Sequence, residues 1–205
     1  MEAVEPAATI EVPRLAATDR LVSRPPIPLR NATDGGPLRL ATCVRVGWRD
    51  GCLLVRFDGR DAGVVATHTR RDEPLWKEDV FEVFLSPMHA PEVYYEFEVN
   101  PRGALFDARV VSPEGRRATM EVDVSWNCPG LGARVRVRPD RWSALLTIPL
   151  APMDPTGEAR RWHANFYRID RGPADEYSAW RPTLADPPDF HVPARFGLLL
   201  LEQRS

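Results

Sequence analysis

The sequence predicts an all-β chain folded as an antiparallel β-sandwich. Three observations point there. Short runs rich in β-branched and aromatic residues recur along the chain, with side chains alternating between two faces. Turn formers punctuate them, as at Arg49-Asp50-Gly51, Pro101-Arg102-Gly103 and Pro139-Asp140-Arg141. Helical periodicity of useful length is missing, with room for one turn at most near 152–158.

The elements follow in chain order. Residues 1–37 form a Pro-rich arm; Arg24-Pro25-Pro26-Ile27-Pro28-Leu29 favours extended or polyproline backbone, wrapping the domain or partly disordered. The sandwich domain then occupies 38–205. Residues 38–48 and 52–58 flank Asp50-Gly51, a strong hairpin signal. A short strand is expected at 64–68. Residues 80–85 and 93–99 make the next pair, joined by a Pro-bounded connection at 86–91. A third strand of that meander covers 105–111, and a weaker one follows at 120–126.

In 133–139 the alternation turns Val135 and Val137 inward and Arg134, Arg136 and Arg138 outward. Residues 142–150 put Trp142, Ala144, Leu146 and Ile148 on one face. A strand at 161–170, a long loop at 172–193 and a closing strand at 196–201 complete the domain. One inter-sheet core is expected to hold Val135, Val137, Leu146, Ile148, Phe97 and Val99, with Trp142 and Trp162 as core residues.

Composition narrows the function classes. A chain of 205 residues suits one well-buried domain. Its formal net charge of −2 argues for neither a nucleic-acid nor a membrane partner. The N-terminus has no basic region followed by an apolar core, so the expected location is cytoplasmic. Three cysteines, Cys43, Cys52 and Cys128, match no zinc spacing, and reduced thiols are expected. Cys43 and Cys52 flank the first hairpin, which would let them face each other.

The stretch 73–100, EPLWKEDVFEVFLSPMHAPEVYYEFEVN, organises the rest. In its second strand Tyr95, Phe97 and Val99 share one face, and Glu96, Glu98 and Asn100 the other. The first strand leaves Glu82 alone between Val80 and Phe84. A lone carboxylate on an apolar face needs a reason. Trp76 sits just ahead in a charged loop, and a Trp beside a face carrying Glu and Asn suggests a binding surface.

Trp76-Lys77-Glu78-Asp79-Val80-Phe81-Glu82-Val83-Phe84-Leu85 resembles the W-x-x-D-x-h-E-h-F-h stretch (h apolar) of family 9 carbohydrate-binding modules. Phe97-Glu98-Val99-Asn100, Trp142 with Ile148-Pro149, Asn165-Phe166, Ser178-Ala179-Trp180 and the run from Phe190-His191 to Phe196-Gly197 follow in the family's order. The resemblance spans roughly residue 38 to the end. It implies a sandwich of the jelly-roll, DOMON-like group and non-catalytic binding of a terminal sugar clamped between two rings. A pyranose face is apolar enough to stack on an aromatic ring, while its hydroxyls need polar partners.

Carried over by motif, Trp76 is the first ring, Glu82 the carboxylate and Asn100 the amide. The second ring's position holds Phe190, where a sugar-binding member has Trp, and Glu98 stands where that member has Arg. Arg168 is the candidate guanidinium donor and Trp180 an alternative ring. Some relatives hold calcium, and Asp58, Asp61 and Asp72 are the hard oxygen donors for it here.

Two other classes compete. DOMON-like relatives can bind haem, for which Met88, Met120 or Met153 would pair with His163 or His191. A glycoside-acting enzyme would use Glu82 and Glu98 as its carboxylate pair. The sequence shows no nucleophile–base motif to support it.

Overall fold

A computed structural model describes residues 8–87 and 92–203. Two sheets face each other. The larger runs β1 (Thr9–Val12), β14 (Gly197–Leu201), β12 (Arg161–Asp170), β6 (Val80–Ser86), β7 (Val93–Val99), β8 (Leu105–Val111) and β9 (Glu121–Asp123). β13 (Glu176–Ala179) branches from β12 and carries β3 (Arg30–Asn31). The smaller sheet runs β10 (Gly132–Arg138), β11 (Arg141–Pro149), β5 (Cys52–Arg60), β4 (Thr42–Arg49) and β2 (Ile27–Pro28). The fold is the expected all-β sandwich. The Pro-rich arm wraps it, with β1 parallel to β14 at one edge and β2 at an edge of the other sheet.

The inter-sheet core is aromatic at its centre. Phe81 of β6 stacks on Phe57 of β5 at 4.6 Å and on Trp142 of β11 at 3.7 Å. Phe97, Val99, Leu146 and Ile148 are fully buried around them, and Trp142 and Trp162 are core residues as expected. Val135 packs only partly against this core, and Val137 is 48 % exposed. That corrects the expected core. β10 is the edge strand, so its inward alternation runs out past the cover of the opposite sheet.

The Asp50-Gly51 turn has positive φ at both residues (51° and 74°), the conformation a two-residue hairpin demands. It sets Cys52 opposite Arg49 and Cys43 opposite Asp58. The two thiols therefore do not face each other; they lie at opposite ends of one hairpin, and all three cysteines are free.

No strand forms at 64–68. The N–H groups of Val65, Thr67 and His68 donate to the carboxylates of Asp79 and Glu78, not to a neighbouring strand. Conversely, the loop at 172–193 does contain a strand, β13, paired to β12.

The larger sheet is covered on its outer face as well. Every residue of β6 is buried, which is why VFEVFLS reads as nearly continuous apolar sequence. Leu75, Val80, Phe84, Tyr94, Phe106, Tyr167, Phe190 and Phe196 form this second apolar layer under the loops. A cavity opens onto that layer.

Candidate functional site

A cavity of about 460 Å³ opens on the outer face of the larger sheet. Antiparallel register assembles its floor. Glu82 stands opposite Tyr167 on one side and Glu98 on the other, Glu98 opposite Phe106, and Phe84 opposite Glu96. Directly paired residues share a face, so Glu82, Glu96, Glu98 and Phe106 come from three neighbouring strands onto one surface. Glu82, Glu96, Phe106 and Ile169 line the cavity, with Trp76, Arg117, Arg171, Tyr177, Phe190 and His191 around them.

Loop side chains are fixed by named contacts. Asp79, just before β6, accepts the N–H of Val65 and of Arg171, both at 2.7 Å, tying two loops together. Arg171 then donates to the carbonyl of Trp76 (2.7 Å) and to the Tyr177 hydroxyl (2.6 Å), with its guanidinium 5.3 Å from the Tyr177 ring centre. Arg117 makes a bidentate pair with Asp189 at 2.9 and 2.7 Å. Trp76 meets Phe106 edge-on at 5.2 Å and stays 40 % exposed. Phe190 is stacked on Tyr167 at 4.2 Å, its carbonyl accepts the Tyr167 hydroxyl, and it is only 7 % exposed. Trp76 offers a free ring face; Phe190 is a wall.

Three carboxylates crowd the floor. One oxygen each from Glu82, Glu96 and Glu98 lie within 4.8 Å of one another, all buried. Burial first, then repulsion among the three, holds Glu82 and Glu98 well above the usual carboxylate range, and burial pushes Glu96 up to about 7. Beside them, burial pushes the His191 ring down to about 4. Its Nδ1 shares a 2.8 Å hydrogen bond with the Tyr94 hydroxyl. The cavity thus offers an aromatic face, two guanidinium groups, carboxyls and hydroxyls to a small polar ligand with an apolar side.

Residues 37–201 match the family model described as carbohydrate-binding family 9. The chain belongs to carbohydrate-binding family 9. A curated relative, an extracellular protein of Arthroderma benhamiae, is 26 % identical over 170 residues, 76 % of each chain. A family 9 module from Caldicellulosiruptor kristjanssonii solved with cellotriose superposes with a TM-score of 0.69 at 12 % identity, covering 97 % of this chain and 95 % of that one. A candidate carbohydrate-binding protein from Bacteroides uniformis superposes at 0.76 with 18 % identity, covering 96 % and 99 %. At those identities the two structures speak for the fold.

The family motifs do not all converge on the cavity. Trp76, Glu82 and Phe190 line it, and Glu98 lies against Glu82 and Glu96. The cavity they line is on the outer face of the larger sheet. Asn100 is taken up by its turn: its amide donates to the carbonyl of His68 and its oxygen accepts the N–H groups of Arg102 and Ala104. Arg168 points into the opposite side of the sheet, paired with Asp61 and Asp170 and donating to Thr42 and the Arg60 carbonyl. Trp180 packs on Phe166, and a β-carbon at Gly197 would overlap its ring.

Of the three aspartates considered for calcium, Asp58 pairs with Arg45 and Arg56, Asp61 with Arg168, and Asp72 lies beside Arg71. Asp58 and Asp72 join neither carboxylate cluster among the described residues. The haem donors fit no better. Met120 and His191 both line the cavity, but the Tyr94 hydroxyl engages both. Met153 is buried in the inter-sheet core, and Met88 lies outside the described residues.

Glu96, Arg117, Arg171 and Tyr177 were not singled out by motif. Only Glu96 carried a signal, its shared face with Glu98. The other three reach the cavity through loops and β13, whose course no local pattern encodes.

Proposed function

We propose that this protein binds the end of a carbohydrate chain without catalysis, in the cavity on the outer face of the larger sheet. One observation carries the reading beyond family membership. Trp76, held by a short 3-10 turn, keeps 40 % of its surface exposed over a cavity whose floor, Glu82, Glu96, Phe106 and Ile169, is buried. An apolar sugar face stacks on that ring. Phe190 and Tyr177 bound the other side, and Arg117, Arg171 and Glu96 meet the hydroxyls. A cavity of about 460 Å³ is within the size range of small-ligand sites.

The neighbour solved with cellotriose, and another family 9 module from the same organism solved with glucose (TM-score 0.64, 12 % identity, covering 97 % of each chain), supply the first ligands to try. Calorimetry with glucose, cellotriose and a panel of reducing and non-reducing ends tests the reading. Saturable binding that disappears in Trp76→Ala supports it. A wild-type protein inert across a full glycan array rejects it.

Glycoside hydrolysis is the weaker reading. Glu82 and Glu98 are paired across β6 and β7, yet they are 2 % and 0 % exposed, and only Glu82 of the two lines the cavity. Turnover of aryl glycosides, abolished by Glu82→Gln, would reverse that judgement.

A further inference from the structure

The outer face of the smaller sheet lies across the sandwich from the cavity, and its charge differs from that of the chain. Val135, Ala144, Phe57 and Val44 pack into the inter-sheet core, so the residues beside them in each strand point outward. Cross-strand register sets these in rows. Arg138, Arg141 and Arg60 form the first, and Arg136, Ser143 and Asp58 the second. Arg134, Leu145, Arg56 and Arg45 form the third. Seven arginines share these rows with Asp58, and Asp140 follows in the β10–β11 turn. That is an excess of five positive charges on a chain whose formal net charge is −2. The N-terminal arm covers one side of this face, where Leu15 and Leu21 pack with Leu54 and Leu145. The first two rows stay open around a hollow of about 370 Å³, lined by Arg56, Arg60, Arg136, Arg138, Arg141 and Ser143 among others.

The face already shows which anion its arginines take. Arg56 grips the Asp58 carboxylate through Nε and a terminal nitrogen at 2.9 and 2.5 Å, and Arg141 grips Asp140 in the same way at 3.0 and 3.1 Å. A second guanidinium joins each, Arg45 on Asp58 and Arg60 on Asp140. Arg134, Arg136 and Arg138 of the edge strand β10 are exposed and pair with no carboxylate among the described residues. They recur at every second residue, about 6.8 Å apart along the strand, and present the same planar forks. We propose that this face is a second binding site, for a polysaccharide that bears carboxylate groups along its length, a polyuronate. Opposite charge draws such a chain in, and the unpaired forks hold several of its carboxylates at once. Among the described residues, none of the exposed large apolar side chains lies in these rows. The face therefore lacks both the stacking platform of a single-strand nucleic-acid site and the apolar side of a membrane anchor. It shares no lining residue with the cavity, so it stands or falls independently of sugar binding there.

Fluorescence anisotropy of a labelled oligogalacturonate, titrated with the full-length protein, tests the site. Saturable binding is expected, weakening at least about tenfold between roughly 50 and 300 mM NaCl because exposed charges are screened. The triple variant Arg134→Gln, Arg136→Gln, Arg138→Gln should bind at least about tenfold more weakly. Its melting temperature should hold, since all three side chains stand exposed on an edge strand. Arg138→Glu alone should already weaken binding severalfold, and Trp76→Ala should bind like wild type. Duplex DNA and a sulfated oligosaccharide, matched to the probe in charge, should each displace it less well than unlabelled oligogalacturonate does. No saturable binding to wild type at about 50 mM NaCl overturns the proposal, as does undiminished binding in the folded triple variant and in Arg138→Glu. Displacement by the DNA or the sulfated competitor at lower concentration than by oligogalacturonate overturns the choice of a carboxylate polysaccharide. Binding lost in Trp76→Ala would move the polyuronate to the cavity and overturn the second site.

Discussion

Glu82 and Glu98 stand directly opposite each other on adjacent antiparallel strands, both buried, at the centre of the sheet's outer face. A like-charged pair in that relation is unfavourable unless something compensates. Along the same strands, Phe81 and Val99 are the next opposed pair and belong to the inter-sheet core. One step in sequence separates the packing of the sandwich from the chemistry of its cavity. Variants in these strands can therefore separate stability from binding.

Trp76→Ala should cost about 1–3 kcal/mol of sugar affinity, the range for a stacked aromatic anchor, with little change in melting temperature. Phe190→Ala should behave otherwise. Its ring stacks on Tyr167 inside the second apolar layer, so about 2–4 kcal/mol of folding stability should go with it. Calorimetry and urea denaturation of the two variants separate the roles. An equal loss of stability in both would contradict the assignment of Trp76 as the exposed platform.

Phe81→Ala empties the space between Phe57 and Trp142. A loss of about 3–5 kcal/mol is expected in chemical denaturation. A loss below about 1 kcal/mol would mean that the two sheets close over the gap.

Arg168→Leu removes the cation that Asp61 and Asp170 share. Stranding buried carboxylates typically costs about 3–5 kcal/mol, seen as a lower denaturation midpoint. Because Arg168 lies on the other side of the sheet, the folded fraction should bind sugar with unchanged affinity. Weaker binding by fully folded Arg168→Leu would bring this residue back into the site.

His191 should give the fold an acid limb. Burial holds its ring at about 4, with Arg117, Asp189 and Tyr94 facing it. The folded value lies below the unfolded one, about 6.5. Between those values the unfolded chain binds a proton that the folded chain does not. Stability is therefore lost as pH falls through the window, by up to about 1.4 kcal/mol per unit. The buried carboxylates slope the other way, so the reading is the difference between wild type and His191→Gln. Identical differences at about pH 7 and about pH 4.5 would count against it.

Cys43 and Cys52 sit six residues apart along one hairpin, on the order of 20 Å at strand rise. No intramolecular bridge between them is compatible with this register. Intact mass under non-reducing conditions should show none, even after mild oxidation.

Much of the fold was legible because strand alternation is local. The patterns at 80–85, 93–99, 105–111 and 161–170 became β6, β7, β8 and β12 with little adjustment. Where local pattern misled, a distant partner had decided. Val137 alternates like a core residue but stands on an edge strand, and Val65 finds its hydrogen bond on a side chain, not on a strand.

From the sequence alone came the sandwich, the family motifs, the exposed ring at Trp76 and the isolated carboxylate at Glu82. All rest on short-range signals: period-two alternation, turn chemistry and motif order. Tertiary structure decided which motif residues meet. It sent Arg168 to a buried aspartate pair and Asn100 into a turn, and brought Arg117, Arg171 and Tyr177 to the cavity from distant loops. It also set Glu82 across from Glu98, because the pairing of two strands depends on register between them and not on either strand's own pattern.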